Sequence, residues 1–400
     1  MGRAKINRRG FISRLGLGAA SAGLGLQVAP EVAGQGGQEP RVLTRPLGKT
    51  GLELPVVSIG VMNTYEEAII HHAIRLGVRH LDTAWIYLDG QSELAIGRVL
   101  KENGRRSEIT IATKMRFNRD RESLAFLPNG NGREMGASAS NLDRQLDMSL
   151  ERLQTDHVDL LYLHSCYSPG MATNAELMNA LVRVKEEGRA RFIGVSTHHD
   201  VPVVTRAAVD AGVYDVVQIA YNYRSVDGEA IREANAHAAE NGVGIVAMKV
   251  MGGNDLNASG VQIDHKAALK WVLDDGNVST IIPGVTTFAQ LDLNWSVMSD
   301  PALTAREDRE LQLASQVRDP LYCQNCRSCV ATCPERVEIP NLMRAYMYEV
   351  GYGNQWQTRR TLAEIPVEHG LDRCRECGLC TAACRHGLEI GERLTALMEI

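Results

Sequence analysis

The chain has 400 residues, which is enough for two or three domains. Its composition, with 44% hydrophobic and 23% charged residues, is typical of a folded soluble protein with a large core. The net charge of −5 provides no basic surface, so nucleic acid is not expected as a partner.

The N-terminal segment has the pattern of an export signal. A basic stretch contains Arg8 and Arg9, and a weakly hydrophobic run rich in Gly and Ala follows over residues 15–28. The Arg-Arg-Gly-Phe-Ile core resembles the twin-arginine signal, which exports folded proteins. We therefore expect a periplasmic or otherwise exported protein, with membrane contact only through a retained signal. We assign residues 1–40 to this signal and a flexible linker; a basic extension without targeting function is the alternative.

Residues 41–300 alternate short β-rich runs with longer amphipathic runs, eight of each. The predicted strands are 56–60, 80–84, 110–115, 158–164, 191–197, 215–222, 244–250 and 280–285. The predicted helices are 65–76, 92–102, 138–153, 174–187, 201–211, 228–241, 265–275 and 288–299. Apolar strands alternating with helices imply a parallel sheet, and eight such units fit a (β/α)8 barrel of the triosephosphate-isomerase type. An open doubly wound sheet is the alternative, although no Rossmann fingerprint supports it.

Polar side chains stand at the ends of three successive predicted strands. Asp82 and Tyr87 follow the second strand, Lys114 ends the third and His164 ends the fourth. Catalytic residues of such barrels lie at the carboxyl ends of the strands, so these four are expected to meet. A buried lysine needs a partner, and Asp82 is the natural one. We predict that Tyr87 is a proton donor whose pKa Lys114 lowers, and that His164 orients a carbonyl or shares the proton.

These positions resemble the aldo-keto reductase family. Residues 45–60 look like its opening hairpin and first strand, and the stretch 82–87 is similar to its Asp-Thr-Ala-x-x-Tyr segment. Lys114 and His164 fall where the family's other two catalytic residues fall. The resemblance implies an NAD- or NADP-dependent oxidoreductase that acts on a small carbonyl or alcohol substrate, including sugar-like ones. Each residue taken alone also has a structural alternative: Asp82 could bind a backbone amide, and His164 could be a hydrogen-bonded histidine of the core.

The resemblance also implies a nicotinamide site, which the Gly-Val-Ser-Thr stretch 194–197 and the stretch 282–294 would form. The implied cofactor-binding residues are Ser196, Thr197, Gln218, Met248, Lys249, Gly284, Gln290 and Asn294. The first three would bind the carboxamide. Gly284 would open the loop of the adenosine-phosphate segment, and Gln290 and Asn294 would reach the adenine. Met248 stands where the family often stacks a tyrosine on the nicotinamide, and a thioether tolerates that contact.

The stretch 285–288 contains two threonines where the family often has an arginine or lysine that binds a 2′-phosphate. This departure favours NAD over NADP, unless Lys249 or another loop supplies the charge.

Eight of the nine cysteines form two copies of the spacing Cys-x2-Cys-x2-Cys-x3-Cys within residues 301–400, and the ninth is Cys166. This spacing is that of bacterial ferredoxins, in which the fourth cysteine of each run binds the other cluster. We predict two [4Fe–4S] clusters, one held by Cys323, Cys326, Cys329 and Cys384 and the other by Cys374, Cys377, Cys380 and Cys333. Zinc and disulfide bonds are the alternatives. The segment 339–364 between the runs is predicted to be helical.

These patterns together predict an exported oxidoreductase with a (β/α)8 barrel and a small, mostly helical, ferredoxin-like domain. A hydride carries two electrons and a cluster accepts one, and we find no flavin motif to couple them. The clusters are therefore structural, or they serve an electron-transfer protein partner or another cofactor. One alternative is an electron-transfer subunit whose barrel is a docking scaffold. Another is redox-neutral sugar chemistry with a permanently bound nicotinamide.

Overall fold

The computed structural model describes residues 42–130, 135–253, 264–316 and 321–400. The predicted signal and linker lie outside these residues. Val42–Ile400 form a single unit in which the barrel and the cysteine-containing region contact each other. The domain boundary near residue 300 remains a prediction.

Eight parallel strands form the predicted barrel, with each strand paired to the next one along the chain. They are β1 (Ile59–Gly60), β2 (His80–Asp82), β3 (Thr110–Met115), β4 (Val158–Leu163), β5 (Ala190–Thr197), β6 (Val216–Ala220), β7 (Gly244–Met248) and β8 (Val278–Ile281). Parallel bridges from Val57 to Ile281 and from Gly60 to Gly284 join the first strand to the last. The barrel prediction is thus confirmed, and the open-sheet alternative is wrong.

Eight helices surround these strands at the predicted positions. They are α1 (Glu67–Leu76), α2 (Gln91–Asn103), α3 (Ala139–Leu153), α4 (Ala175–Glu186), α5 (Val201–Asp210), α6 (Gly228–Glu240), α7 (His265–Leu273) and α8 (Phe288–Trp295). Several strands end earlier than predicted, because the chain leaves the sheet to form the loops at the carboxyl end of the barrel. The second strand, for example, ends at Asp82 and not at residue 84.

A short antiparallel hairpin, Thr44–Pro46 and Glu53–Pro55, precedes the barrel. Its Leu47 and Leu54 are fully buried and pack with the side chains that fill the barrel interior, such as Tyr162. The amino end of the barrel is therefore plugged by apolar side chains. The carboxyl end carries the polar ones.

The C-terminal region is mostly helical, as predicted. Its helices are α9 (Ala305–Ser315), α10 (Ser328–Thr332), α11 (Ile339–Tyr346), α12 (Gln355–Ala363), α13 (Asp372–Glu376) and α14 (Ile390–Met398). The segment 339–364, called the insert below, contains α11, a π-helical turn over Met347–Gly351 and α12. Buried Leu342 and Met343 of α11 pack with Leu394 and Leu397 of α14 in a small separate core. None of the helices in the described ranges is long and apolar enough to cross a membrane.

The insert lies against the carboxyl end of the barrel. Arg360 of α12 is buried, donates from Nη1 to Asp89 Oδ1 at 2.8 Å and also donates to the carbonyl of Ile86. Glu364 accepts from Arg116 Nη1 at 3.2 Å. Both contacts join loops of the barrel to the insert, so the insert covers the end at which the predicted catalytic residues stand.

Candidate active site and cysteine clusters

The four predicted catalytic residues meet at the carboxyl end of the barrel. Lys114 in β3 donates from Nζ to Asp82 Oδ1 at 2.5 Å and to the carbonyl of Thr83 at 2.6 Å. The same Nζ lies 5.0 Å from the centre of the Tyr87 ring. The Tyr87 ring is in edge contact with the His164 ring, with 5.8 Å between centroids. Parallel strands bring these residues together because their carboxyl ends share one face of the barrel.

Burial and neighbouring charges determine the pKa of Tyr87. Burial raises the pKa of Tyr87 well above its usual value, and the negative charge of Asp82 raises it further. Lys114 lies over the face of the ring, 5.0 Å from its centre, and is paired with Asp82. Burial and Asp82 set the net direction of this shift, and the predicted lowering of the pKa by Lys114 stays a prediction. Tyr87 is held as a neutral phenol, which is the form that can donate a proton.

His164 is also held neutral. Burial lowers its pKa well below the usual value, and the nearby positive charges of Lys114 and Arg116 lower it further. Its Nδ1 atom is buried and has no hydrogen-bond partner among the described residues. A neutral imidazole can donate from one ring nitrogen and accept at the other. His164 is therefore suited to hydrogen-bond a polar ligand beside Tyr87.

A cavity of about 840 Å³ opens beside these side chains. Asp82, Tyr87 and His164 lie on its wall, while Lys114 is buried behind Asp82. The barrel loops form one side of the cavity. The insert forms another side with Arg344, Met347, Tyr348, Tyr352, Trp356 and Arg360. The cavity is large enough for a nucleotide cofactor together with a small substrate.

The predicted cofactor residues fall into two groups. Five of them line the cavity on the β7–β8 side, namely Met248, Lys249, Gly284, Gln290 and Asn294. Ser196, Thr197 and Gln218 are fully buried behind its wall. Thr197 uses its hydroxyl on the carbonyl of His199, and so it is turned away from the cavity.

Two features of the buried group fit a nicotinamide. Gln218 donates from Nε2 to Asp82 Oδ2 at 3.1 Å, which leaves its buried Oε1 without a partner among the described residues. The hydroxyl of Ser196 accepts from the Ser165 N–H at 2.9 Å and keeps its own proton for donation. An amide group has both a donor and an acceptor, so Gln218 and Ser196 can satisfy it together. A Cβ on Gly284 would meet no atom within 4 Å, which leaves open space at the start of the second stretch.

The eight clustered cysteines converge in two sets, each combining three residues of one run with the fourth of the other. Burial first, and then the thiols of Cys323, Cys326 and Cys384, raise the pKa of Cys329 to about 12. Burial first, and then the thiols of Cys333, Cys380 and Cys377, raise the pKa of Cys374 to about 11. One set is Cys323, Cys326, Cys329 and Cys384, and the other is Cys333, Cys374, Cys377 and Cys380.

Each set offers four thiols, which is the number of ligands that a [4Fe–4S] cluster takes. All nine cysteines are free thiols, and Cys166 is buried in the barrel core. In the described part of the chain, no three His, Cys, Asp or Glu side chains are placed to hold a single metal ion. Zinc needs sulfur atoms roughly 2.3 Å from one centre. A four-iron cluster is wider, and its thiolates stand farther apart.

Sequence reasoning missed most of the polar residues on the insert side of the cavity. These are Arg116 and Arg119 after β3, Tyr167 after β4, His198 after β5, and Arg344 and Arg360 in the insert. Arg360 contacts Asp89 across 271 positions of the chain, so no local pattern announces the contact. A surplus of arginine in a helical segment was the only available signal.

Comparison with known proteins decides the family. Residues 59–266, just over half of the chain, match the aldo/keto reductase family. The chain belongs to the aldo/keto reductase family. Residues 315–385 of this aldo/keto reductase match a 4Fe-4S dicluster domain. The protein is therefore an oxidoreductase-family barrel joined to an iron–sulfur domain.

Several relatives of this aldo/keto reductase have been described. L-galactose dehydrogenase from Arabidopsis thaliana is 24% identical, over 70% of this chain and 96% of its own. The aldo-keto reductase yakc [NADP(+)] of Schizosaccharomyces pombe is 30% identical, over 52% of this chain and 61% of its own. L-glyceraldehyde 3-phosphate reductase of Escherichia coli is 30% identical, over 38% of this chain and 45% of its own. The chain thus spans less than two thirds of the last two.

Solved structures support the fold. Aldo-keto reductase AKR11C1 from Bacillus halodurans, in its holo form, superposes with a TM-score of 0.57 and 24% identity. The match covers 68% of this chain and 96% of that one. A putative aldo-keto reductase from Pseudomonas aeruginosa has a TM-score of 0.51 and 26% identity, over 65% of this chain and 95% of that one. These matches cover about two thirds of the chain, in keeping with an additional iron–sulfur domain.

Proposed function

We propose that this aldo/keto reductase reduces a small carbonyl substrate, or oxidises the corresponding alcohol, with NAD(P). The observation that carries the proposal is the meeting of Asp82, Tyr87 and His164 on one cavity, with Lys114 directly behind Asp82 and open space for a cofactor on the other side. The nicotinamide cofactor, when bound, supplies or accepts the hydride. Sugar-related names among the relatives support a polyhydroxylated substrate.

The chain's own residues hold and move the proton. Tyr87 donates its phenolic proton to the substrate oxygen during reduction. Lys114 lies over the Tyr87 ring and stabilises the negative charge that develops as the proton leaves. Asp82 fixes Lys114, and neutral His164 orients the substrate oxygen beside the phenol.

We also propose two [4Fe–4S] clusters and export by the twin-arginine route. Two sets of four thiols supply the ligands for two clusters, which provide one-electron chemistry when present. The twin-arginine pattern at Arg8 and Arg9 would carry the folded, cluster-loaded protein out of the cytoplasm.

A second function, electron transfer to a protein partner, is favoured by the exposure of one cysteine set. Cys380 is exposed, and the neighbouring Leu379 is 81% exposed, so an apolar side chain stands beside a cluster ligand. A redox titration followed by electron paramagnetic resonance tests this function. Clusters that take up and release electrons reversibly would support it, whereas clusters inert over the accessible range would leave them a structural role.

The proposed activity is tested with anaerobically purified protein. We expect bound iron and sulfide, and we expect NADH or NADPH oxidation that depends on an added aldehyde or ketone. Nucleotide analysis of the same sample distinguishes a released cofactor from a permanently bound one. Tight binding of the nicotinamide without turnover of any carbonyl would contradict the proposal and favour redox-neutral chemistry.

We expect NAD to bind more tightly than NADP. Thr286 and Thr287 are neutral and supply no cation for a 2′-phosphate. Their hydroxyls are also in use, because Thr286 is bound to Gln290 Oε1 at 3.0 Å and Thr287 caps α8. Fluorescence titration of the nucleotide-free protein with both cofactors measures the preference. Tighter binding of NADP that is lost in Lys249→Met would show that Lys249 supplies the missing charge.

A further inference from the structure

Four arginines line the active-site cavity, and one of them, Arg360, is bound to Asp89. Arg116 and Arg119 come from the loop that follows β3, and Arg344 comes from α11 of the insert. Arg116 is paired with Glu364 at 3.2 Å. Glu364 also accepts from Arg360 at 3.4 Å, so one carboxylate serves two guanidinium groups.

The other two arginines, Arg119 and Arg344, form no close ion pair with a carboxylate among the described residues. The guanidinium carbon of Arg119 lies 3.9 Å from the centre of the Tyr167 ring, and its buried Nε atom has no hydrogen-bond partner there. Arg344 lines the cavity, and the charge of Glu364, which already binds Arg116 and Arg360, is the carboxylate charge that acts on it. Both side chains are only partly exposed, and a guanidinium group in such a place gains from an anion at hydrogen-bond distance. The two side chains are therefore placed for an anion that the protein itself does not provide.

The charges on the cavity wall also favour an anionic ligand. The described charged lining residues are Arg116, Arg119, Lys249, Arg344 and Arg360 against Asp82 and Glu364. Asp82 is already paired with Lys114, and Glu364 is shared between two arginines. Although burial opposes ionisation of Tyr167, the charges of Arg119 and Arg344 lower its pKa. The field on this side of the cavity is positive.

The cofactor does not account for this field. The implied cofactor residues that line the cavity end or follow β7 and β8, whereas Arg116, Arg119 and Tyr167 follow β3 and β4. In a closed ring of eight strands these two pairs lie opposite each other. The arginines are thus on the substrate side of Tyr87 and His164.

We propose that the substrate carries an anionic group, a carboxylate or a phosphate, that binds Arg119 and Arg344 while its carbonyl faces Tyr87. This inference rests on the proposed reductase function and adds a substrate class to it. Arginine suits this role because its planar donors match the oxygens of either anion. The iron–sulfur domain then contributes a specificity residue, Arg344, to the active site of the barrel.

Matched pairs of substrates test the proposal with the holoenzyme. Succinic semialdehyde is compared with butanal, and glyceraldehyde 3-phosphate with glyceraldehyde, since each pair differs mainly in the anionic group. We expect kcat/KM to be roughly ten- to a hundredfold higher for the anionic member of at least one pair, as charge-assisted hydrogen bonds imply. The pair that responds distinguishes a carboxylate from a phosphate. Equal values within both pairs would overturn the proposal and leave the reductase function intact.

Variants locate the effect. Arg344→Gln and Arg119→Gln should raise KM for the preferred anionic substrate by roughly ten- to a hundredfold, with little change for its neutral partner. Arg344→Lys should restore part of the loss because it keeps the charge. Arg359→Gln is the matched control, since Arg359 is exposed on the same insert. Iron content measured on each variant shows that the domain is folded.

A binding measurement separates this inference from the proposed activity. Malonate and inorganic phosphate, titrated calorimetrically into the holoenzyme, probe the arginine site without any turnover. Binding that weakens in Arg344→Gln and Arg119→Gln but not in Arg359→Gln supports the anion site even if no carbonyl is reduced. Binding that is unchanged in all three variants contradicts it.

Discussion

Replacement of Tyr87 by phenylalanine should lower the rate of carbonyl reduction by roughly 10²–10⁴ and leave nucleotide binding nearly unchanged. Phenylalanine removes only the phenolic oxygen, so the ring keeps its contacts with Lys114 and His164. The loss should therefore appear in kcat and not in the Kd for NAD(P). Pre-steady-state hydride transfer and fluorescence titration of the nucleotide measure the two quantities.

Tyr65→Phe provides the matched control for this experiment. Tyr65 is 52% exposed on the barrel surface, so loss of its hydroxyl should leave both quantities as they are. Near-normal turnover of Tyr87→Phe would remove Tyr87 from the role of proton donor. If product release limits kcat in the wild-type protein, the loss in Tyr87→Phe should still appear in the pre-steady-state rate of hydride transfer.

Replacement of Cys333 or Cys384 by serine should damage the cluster that belongs mainly to the other cysteine run. The wild-type protein should contain about eight iron and eight sulfide atoms per chain, because two complete sets of four thiols are present. Cys384 belongs with Cys323, Cys326 and Cys329, and so its loss should deplete the cluster at the first run. Iron and sulfide analysis with electron paramagnetic resonance of the reduced protein identifies the missing cluster.

The same variants should also impair the active site. The core of the cysteine-containing region is small, and such domains depend on their metal for stability. Since the insert forms one side of the cavity, a loosened domain should raise KM and expose the insert to limited proteolysis, while the barrel stays resistant. Cys166→Ala, which removes a thiol outside both sets, should keep its iron. Zinc in the wild-type protein, or eight cysteines paired as disulfides, would contradict the cluster assignment without affecting the barrel.

The barrel was predictable because its information is local. Each strand and each helix carries its own periodicity, and in a parallel barrel consecutive strands become neighbours. The meeting of Lys114 and Asp82 follows from that order alone, since they stand on adjacent strands. The positions of Tyr87 and His164 follow in the same way.

Other properties of the site depend on distant parts of the chain. The pKa of Tyr87 follows from burial that the insert helps to complete, and Tyr348 of the insert is among the groups that raise it. The turn of Thr197 away from the cavity depends on a bond to His199 that spacing does not reveal. Arg344 read from the sequence is an ordinary helical arginine, and only the docking of the insert turns it toward the cavity.

Helix α11 serves two structures at once. Leu342 and Met343 belong to the core beneath the cysteine sets, whereas the adjacent Arg344 lines the catalytic cavity. A substitution of Leu342 or Met343 that shifts this helix would therefore change the cavity wall as well as the packing on which metal retention depends. We therefore expect substitutions that change the substrate range to accumulate slowly in α11 and faster in the barrel loops. A directed-evolution library for new substrates would accordingly keep more folded members if it were confined to the loop after β3.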